Sequence, residues 1–448
     1  MSTRIPLKLR SSTLIIIAFY FLIGCQSDNN IYNPQSELQL QIEEQLGSLD
    51  ILKLPNTNDY QNIPQDPNNK LSQQKIVLGK FLFHETGIAL NPLQEIGKDT
   101  YSCASCHHSK AGFQSGMKQG IGEGGSGFGL HGEMRVISSE YEESQIDIQP
   151  IRSPTILNTA FQEVMLWNGQ FGAKGINQGT EANWTANTPK ENNNLGFEGL
   201  ETQAIAGIGV HRLKIDIDLI MNSPYKTLFD DAFPDSPIED RYTKINAGLA
   251  IAAFERTILA NEAPFQKWLN GSKGAMSETE INGALLFFGK GNCYTCHSGP
   301  GLNGMEFHAL GMNDLSGANV HGILDEVTIK GRGGFTNNPD DDYAFKTPTL
   351  YNLKDVNHLG HGGNFSSVKE IIEYKNEAIA QNTIVPQAKL SSKFQVLGLT
   401  NEEINQLTAF IENALYDPNL KRFVPENTPL NNCFPNADAQ SKIDMGCD

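Results

Sequence analysis

The residues best suited to chemistry in this sequence lie in two copies of one short motif. Each copy has the form Cys-x-x-Cys-His, at Cys103, Cys106 and His107 and again at Cys293, Cys296 and His297. Two thiols three residues apart can each form a thioether to one porphyrin edge, and the adjacent histidine then lies under the iron as a ligand. A zinc knuckle or a redox dithiol would explain a lone Cys-x-x-Cys pair. The repeated histidine instead favours two covalently bound haem c groups, with His107 and His297 as iron ligands.

The first 25 residues predict export from the cytoplasm. Arg4, Lys8 and Arg10 precede an apolar run over residues 14–23, which is shorter than a membrane-spanning helix needs. Residues 22–25, Leu-Ile-Gly-Cys, resemble a bacterial lipobox, which implies that Cys25 becomes the acylated first residue of a membrane-anchored lipoprotein. The alternative is an ordinary signal peptide with an incidental cysteine. Residues 26–70 are then a tether and linker, and the body faces the oxidising space on the periplasmic side or in the cell envelope.

The seven cysteines can be assigned to lipid attachment, haem attachment and a disulfide. Cys25 is assigned to lipid and four cysteines to the haem motifs, which leaves Cys433 and Cys447. In an exported protein these two are expected to form a disulfide that ties down the C-terminal tail, residues 426–448. The sequence alone does not show that they meet.

The length and the net charge limit the classes of protein to which this chain can belong. A chain of 448 residues with 39% hydrophobic and 19% charged residues is long enough for two or three globular domains. The formal net charge of -17 argues against nucleic acid or an anionic membrane surface as a partner. It suits electrostatic steering of a small basic electron-donor protein, or it simply keeps the protein soluble.

Helical spacing of apolar residues predicts the elements that position the two motifs. The predicted helices cover residues 36–53, 73–83, 241–261, a short segment after Pro264, residues 278–288 with Ser277 and Glu280 as a capping box, and residues 368–376. Residues 55–69 are predicted to form a linker, and residues 171–198, rich in Asn, Gly and Thr, a surface insertion.

The two halves of the chain are similar to each other. A helix containing Phe-Leu-Phe at residues 81–83 precedes the first motif, and one containing Leu-Phe-Phe at residues 286–288 precedes the second. Downstream, Arg-Ser-Pro-Thr-Ile-Leu-Asn at residues 152–158 echoes Lys-Thr-Pro-Thr-Leu-Tyr-Asn at residues 346–352. We therefore expect a mainly α protein with two cytochrome c-like haem domains and long loops, one domain over residues 71–240 and the other over residues 241–425.

Residues 71–425 resemble the bacterial di-haem cytochrome c peroxidase superfamily, which includes the MauG enzymes. The likeness is carried by both haem motifs and by the segments at residues 152–155, 166–169, 252–257, 345–350 and 361–363. The resemblance implies an N-terminal domain that reduces hydrogen peroxide at the haem of His107, and a C-terminal haem that passes on electrons from a small cytochrome c or cupredoxin. It also implies that Trp167 lies between the haems and relays electrons, in a loop reading Trp-Asn-Gly-Gln where the family has Trp-Asp-Gly-Arg.

The peroxide pocket departs from the family pattern. Resting peroxidases of the family place a displaceable histidine ligand in a Gly-His-Gly turn, but this chain has Glu123 in that turn. The first haem is therefore expected to be five-coordinate at rest, with Glu123 as a weak ligand or acid and His131 as a replacement ligand or a solvated loop residue. Gln203 matches the family's catalytic glutamine. His211 falls near the family's catalytic glutamate and takes the acid–base role, unless Glu201 is the carboxylate and His211 is structural.

The sixth ligand of the second haem is also unusual. Family peroxidases have a methionine, and MauG enzymes a tyrosine, in the helix after the His-x-Gly motif, whereas this chain has Tyr374 and Lys375 there. Lys375 aligns best by spacing, and a tyrosinate or an amine favours ferric iron more than a thioether does. Met305 and Met312 lie closer to the second motif but are expected to be packing residues.

The resemblance also implies a calcium ion between the two domains. Asn158 matches the family's side-chain ligand, and Val356 and His358 occupy the positions that supply backbone oxygens. Oxygen ligands of this kind suit calcium, although an asparagine in a turn also serves as a backbone cap. Family peroxidases are often dimers, so a homodimer is expected by analogy.

Three functions are consistent with these residues. The first, which we expect, is an exported, lipid-anchored di-haem peroxidase that reduces hydrogen peroxide to water. The second is a MauG-like enzyme that oxidises side chains of a partner protein, favoured by the missing Gly-His-Gly turn and by a second haem without methionine. The third is an electron-transfer cytochrome with both irons six-coordinate and no catalysis.

Overall fold

Short helices joined by long loops make up most of this protein. The computed structural model describes residues 1–3 and 33–447, and about 42% of residues are helical and 4% are in strands. The α-helices are α1 (Pro34–Leu46), α2 (Gln73–His84), α3 (Gly199–Val210), α4 (Ile217–Met221), α5 (Tyr225–Ala232), α6 (Ile238–Arg241), α7 (Lys244–Arg256), α8 (Pro264–Leu269), α9 (Glu278–Phe288), α10 (Glu326–Ile329), α11 (Arg332–Thr336), α12 (Val368–Glu377), α13 (Asn401–Ala409) and α14 (Ala439–Met445). Two antiparallel pairs join β1 (Gly125–Ser126) to β2 (Val136–Ile137) and β3 (Phe307–His308) to β4 (Phe345–Lys346). The expectation of a mainly helical protein is confirmed.

The N-terminal predictions fall largely outside the described residues. The charged and apolar parts of the predicted signal peptide, Cys25 and the start of the tether lie within residues 4–32, which are not among them. From Pro34 onward the chain forms one compact unit. Within the described ranges, no helix is both long and apolar enough to cross a membrane.

The first hydrophobic core forms where α2, α3 and α7 pack together. A Cβ on Gly79 of α2 would lie 1.8 Å from the carbonyl oxygen of Ala250 in α7, and one on Gly248 of α7 would lie 2.5 Å from the Ile205 side chain of α3. Glycine therefore allows the backbones of these helices to approach closely. The last part of α7, residues 246–256, is buried on every side.

The second hydrophobic core is surrounded by α1, α8, α9, α12 and α13. The N-terminus of α9 has the predicted capping box: the Ser277 hydroxyl accepts from the N–H of Glu280, and the Glu280 carboxylate accepts from the N–H of Ser277. The helix ends at Phe288, five residues before the second motif begins at Cys293. In the first half, α2 ends at His84 and two 3₁₀ turns separate it from Cys103, so the connection from helix to motif is longer there.

The predicted helices are present with shifted ends. Helices α2, α9 and α12 agree with the predicted bounds to within one residue. The segment predicted at 36–53 is divided into α1 and a 3₁₀ turn at Leu49–Leu52. The segment predicted at 241–261 is the shorter α7, since the Thr243 hydroxyl accepts from the N–H of Asn246 and caps the helix there.

The segments predicted to be a linker and a surface insertion are both held against the body by polar side chains. In the predicted linker, Asp66 and Asn69 are fully buried and hydrogen-bond to α3 and to the 171–198 segment. In the predicted surface insertion, Asn177 and Asn193 are fully buried, and their amides bind backbone groups of the loop at residues 169–172. Amide hydrogen bonds have no hydrophobic period, so the sequence pattern gave no sign of this burial.

The C-terminal tail is fixed to the body. Cys433 and Cys447 form the expected disulfide. Asp438, which caps α14, binds Arg135 at 3.1 Å, and Arg135 also donates to the backbone carbonyls of Ile121 and Gly122. The tail thereby pairs with the loop that follows the first motif.

The same tail also contacts the first motif directly. The carbonyl oxygen of Pro435 accepts hydrogen bonds from the hydroxyls of Ser102 and Ser105, at 2.9 and 3.1 Å. These serines flank Cys103 and lie within the turn of the motif. The tail therefore covers that turn on one side.

Candidate functional site

One large cavity connects the two motifs within the unit that begins at Pro34. It has a volume of about 360 Å³ and is lined by Cys106 and His107 of the first motif and by Cys296 and His297 of the second. Both candidate haem sites therefore open into one interior space.

The two motif histidines are oriented in the same way. Nδ1 of His107 lies 3.4 Å from the carbonyl oxygen of Phe113, and Nδ1 of His297 lies 3.1 Å from the carbonyl oxygens of Leu302 and Pro348. Donation of Nδ1–H to a backbone carbonyl fixes the ring and leaves Nε2 as the ligand atom. Burial lowers the pKa of each histidine to about 4, so both rings are neutral and able to bind a metal.

Two buried cations with neutral hydrogen-bond partners line the same cavity. Arg152 is 1% exposed and donates to backbone carbonyls and to the side chain of Gln114. Lys346 is 7% exposed and donates to the carbonyl of Val164 and to the side chain of Gln162. Burial lowers the pKa of Arg152 to about 9 and that of Lys346 to about 7. A buried cation is costly unless an anion lies against it. The propionate groups of two haems fit this requirement.

Gln203 and His211 face the cavity from one side of α3. A Cβ on Gly207, which lies between them, would be 3.4 Å from Gln203 Nε2 and 3.9 Å from His211 Cδ2. Residues four apart share a helix face. Nδ1 of His211 lies 2.9 Å from Oδ2 of Asp147. Burial lowers the pKa of His211, but the charge and hydrogen bond of Asp147 outweigh burial, so the pKa is raised overall and the imidazole can carry a proton near neutral pH.

The Gly-Glu-Gly turn holds Asp147 in place. The N–H of Gly122 donates to the carbonyl of Asp147, and the N–H of Asp147 donates to the carbonyl of Glu123. The Glu123 carboxylate is fully buried and binds Arg212, the neighbour of His211, at 2.5 Å. Glu123 is not among the residues that line the cavity. Its role as a weak ligand or acid stays a prediction, and in the structure its ion pair with Arg212 supports the turn that carries His211.

The other acid–base candidates also lie away from the cavity. His131 is on an exposed loop, where its Nδ1 lies 2.9 Å from the carbonyl oxygen of Lys110. Glu201 is fully buried, and Arg256 binds its two oxygens at 2.8 and 2.6 Å. Of the proposed acid–base groups, His211 is the one that the fold brings to the first motif.

Trp167 lines the cavity from a loop that is tied down on both sides. Its indole N–H donates to the carbonyl oxygen of Arg152 at 2.8 Å, and its own carbonyl accepts from the N–H of Lys346 at 2.8 Å. Arg332 donates to the next two carbonyls of the loop. The indole meets the ring of His361 edge-on, with centroids 6.3 Å apart. The tryptophan is thus held rigidly in the space shared by both motifs.

Tyr374 and Lys375 point to different places. The Tyr374 hydroxyl donates to the carbonyl oxygen of Leu310 at 2.5 Å, and its ring packs against Phe365 and Phe394. Lys375 lines the cavity, and burial lowers the pKa of its amine. The fold therefore brings Lys375, and not Tyr374, to the second motif.

Two further side chains reach the cavity near the second motif. Met312 lines it, whereas Met305 lies in a separate open groove. His308 also lines the cavity, with Nδ1 3.1 Å from the Ser391 hydroxyl and Nε2 3.1 Å from a carboxylate oxygen of Glu306. Met312 and His308 are thus rivals to Lys375 as ligands.

The calcium site stays a prediction. Asn158 is fully buried, and its side-chain oxygen accepts from the N–H of Ala260 at 3.0 Å. Its φ of 58° is the left-handed conformation that asparagine tolerates, in line with the alternative role as a cap in a turn. Val356 is buried, and His358 lines the cavity, where burial, followed by the charge of Arg152, lowers its pKa to about 4. A cation at His358 would face the positive charge of Arg152.

Sequence reasoning missed Asp147 and the two buried cations. Arg152 and Lys346 begin the two repeated segments, so their equivalent positions were a signal that they serve equivalent sites. Asp147 offered no such signal, because it lies 64 residues from its partner His211 in the chain.

Comparisons with known proteins show which proteins this chain is similar to. Residues 73–274 match the sequence profile of the di-haem cytochrome c peroxidase family. The chain is similar to the methylamine utilization protein MauG of Methylophilus methylotrophus, at 26% identity over 362 residues, which cover 79% of this chain and 85% of that protein. It is also similar to a cytochrome-c peroxidase of Denitromonas iodatirespirans, at 28% identity over 382 residues, which cover 80% of this chain and 86% of that protein.

A solved structure shares the fold. A MauG-like protein associated with microbial copper homeostasis superposes with a TM-score of 0.54 at 22% sequence identity, over 82% of this chain and 95% of that one.

Proposed function

Because the chain belongs to the di-haem cytochrome c peroxidase and MauG superfamily, we propose that it reduces hydrogen peroxide to water with electrons from a small redox protein. The family implies two haem groups, one for each Cys-x-x-Cys-His motif. The observation that carries the proposal is the pair of His211 and Asp147, a fixed proton-carrying group in the cavity of the first motif.

Reduction of one peroxide to two waters takes two electrons and two protons. Cys103, Cys106 and His107 would hold the first haem, which would supply an iron able to bind and reduce peroxide. His211 donates a proton to the departing oxygen, since Asp147 holds its Nδ1 and leaves Nε2 for the reaction. Gln203, on the same face of α3, donates a hydrogen bond that orients the bound oxygen atoms.

A haem at the second motif would take up electrons from the donor, and Trp167 would relay them between the two motifs. The hydrogen bonds from the indole to Arg152 and from Lys346 to the loop keep the ring in one position between turnovers. The net charge of -17 suits a small basic cytochrome c or cupredoxin as the donor.

Lys375 would hold the iron of a haem at the second motif together with His297. Its side chain lines the cavity with Cys296 and His297, whereas the Tyr374 hydroxyl is engaged with a backbone carbonyl. An amine favours ferric iron more than a thioether does, so this haem should have a lower reduction potential than a methionine-ligated one.

The test mixes the fully ferric di-haem protein with hydrogen peroxide and then adds ferrocytochrome c. Oxidation of the donor over many cycles, in proportion to peroxide, is the expected result. No high-spin haem and no cyanide binding in the ferric protein would instead identify an electron-transfer cytochrome.

The second candidate function is MauG-like oxidation of side chains in a partner protein. Lys375 at the position of a family methionine favours it, because a second haem of low potential stabilises an oxidised state of the pair. An absorbance change that forms with peroxide and persists for minutes in the presence of ferrocytochrome c would support this function over the first.

We place the protein outside the cytoplasm, on the periplasmic side or in the cell envelope. The disulfide between Cys433 and Cys447 supports this location, since disulfides persist in oxidising compartments. Lipid attachment at Cys25 is part of the proposal. Fractionation of cells before and after Cys25→Ala tests it, and the variant should move from the membrane fraction to the soluble fraction.

A further inference from the structure

Glu255 is a buried acid that the proposed function does not use. It lies in the last turn of α7, is 4% exposed, lines the cavity, and is close enough to Cys103 to act on it electrostatically. Its Oε2 atom is buried and has no hydrogen-bond partner among the described residues. Buried polar atoms are almost always hydrogen-bonded, so such an exception beside a candidate haem site points to a functional group.

The charge of the adjacent Arg256 lowers the pKa of this acid but does not outweigh burial. Arg256 follows Glu255 in the chain, but its guanidinium binds the two oxygens of Glu201 at 2.8 and 2.6 Å and Glu198 at 2.9 Å. Glu201 brings a second negative charge close to Glu255. Burial first, and the charge of Glu201 second, raise the pKa of Glu255 to about 8. The carboxyl group therefore carries a proton at neutral pH.

The other titratable groups on the helices packed against α7 are engaged elsewhere. On α2, Lys75, Lys80 and His84 hydrogen-bond to partners that do not line the cavity. At the end of α3, His211 is bound to Asp147. Cys103 becomes an uncharged thioether once a haem is attached. The charge that changes most near Glu255 is therefore the charge on the iron of the first haem.

We propose that Glu255 is a redox-linked proton site of the first haem pocket, which keeps its proton while the haem at His107 is reduced and releases it when that haem is oxidised. Oxidation adds one positive charge to a cavity of low dielectric constant, and that charge stabilises the carboxylate. One electron leaves the haem for the oxidant, which is hydrogen peroxide in turnover, and the O–H bond of Glu255 breaks to release one proton into the cavity. Both return on reduction.

This inference rests on the proposed function only in requiring a haem at His107. It holds for a peroxidase, a MauG-like enzyme or an electron carrier. For a peroxidase it has a direct use, because a proton becomes available inside the pocket at the moment when peroxide withdraws an electron.

The test is a spectroelectrochemical titration of the di-haem protein at a series of pH values. In the wild type, the midpoint potential of the His107 haem should fall as pH rises through the titration of Glu255, with a slope approaching ~59 mV per pH unit, the value for one proton per electron. Glu255→Gln preserves shape and removes the ionisable group, so it should remove the part of this dependence that Glu255 contributes. His211→Gln is measured in parallel, because His211 also faces this site and its contribution should persist in Glu255→Gln.

Glu262→Gln is the matched control, since the Glu262 side chain is 42% exposed and does not line the cavity. It should leave the dependence unchanged. Redox-difference infrared spectra give a second readout: the carbonyl band of a neutral carboxyl group should appear on reduction of the wild type and be absent from Glu255→Gln. An unchanged slope in Glu255→Gln, or identical infrared spectra, would overturn the proposal. No peroxide is used, so an intact slope in a protein without turnover would refute the proposed function alone.

Discussion

At the scale of single residues, the proposed role of His211 as a proton donor depends on Asp147, which binds its Nδ1 atom. The Asp147 side chain is 6% exposed and lies 2.9 Å from Nδ1 of His211. We expect His211→Gln to lower kcat/KM for hydrogen peroxide by ~10²-fold or more, the usual range for loss of a general acid. Stopped-flow peroxide consumption at equal haem content measures this effect, and an unchanged rate would exclude His211 from proton transfer.

The pH dependence of turnover should depend on Asp147. Its carboxylate raises the pKa of His211, so the reactive imidazolium is present below that pKa and is lost as pH rises through it. Asp147→Asn removes the negative charge and lowers the pKa, so the alkaline limb of the pH–rate profile should move to lower pH. A limb that stays in place would assign it to a different group.

Ligation of the second haem should change with Lys375. Lys375→Met should convert the near-infrared charge-transfer and electron paramagnetic resonance spectra from amine to thioether ligation, and should raise the reduction potential of that haem. Tyr374→Phe should leave those spectra unaltered, because the Tyr374 hydroxyl donates to a backbone carbonyl. Unaltered spectra in Lys375→Met would transfer the assignment to Met312 or His308.

At the scale of elements, α2 and α7 cross so closely that position 79 has room for a hydrogen atom but not for a side chain. Gly79→Ala places a methyl group 1.8 Å from the carbonyl oxygen of Ala250, so the helices must separate. We expect a loss of about 1–3 kcal/mol or more in the free energy of unfolding, as for other overpacked cores. Thermal unfolding of the di-haem protein measures it.

Gly274→Ala is the matched control for that crossing. Nothing lies within 4 Å of its added methyl group, and its backbone does not have positive φ. The melting temperature of this variant should stay near that of the wild type. Equal melting temperatures for the two variants would mean that the α2–α7 contact adjusts without cost.

Apolar period and capping residues made the helices predictable, but the direction of single side chains was not. Helix α12 was expected at nearly its observed bounds, yet neighbouring residues on a helix point about 100° apart. The rotation of α12 about its axis, relative to the core, therefore decides whether Tyr374 or Lys375 enters the cavity. That rotation could not be predicted from the sequence. The pairing of Asp147 with His211 was equally hidden, because it depends on how a distant loop folds back onto α3.

The repeated motifs carried the most information about the site. Cys-x-x-Cys-His fixes ligand and attachment chemistry within five residues, so both candidate haem sites could be located without a fold. Glu123 shows the limit of such reasoning. The sequence singles out its turn but does not show that the carboxylate is buried and paired with Arg212, next to His211.

At the scale of the whole molecule, the disulfide links the end of the chain to itself across α14. Cys433 and Cys447 are 14 residues apart, and closing a loop of that size restricts the unfolded chain by ~3 kcal/mol. We expect the double variant Cys433→Ser and Cys447→Ser to lose about that much free energy of unfolding and therefore to melt at a lower temperature. Calorimetry of the oxidised wild type and the variant measures it, and equal melting temperatures would mean that the docked tail alone determines stability there.

The tail over the first motif has a consequence for how the protein is made. Pro435, whose carbonyl oxygen binds Ser102 and Ser105, lies 333 residues after Ser102 in the chain. The turn that receives the first porphyrin is therefore synthesised long before the segment that covers it. We therefore expect the first haem to be attached before the tail docks over the turn.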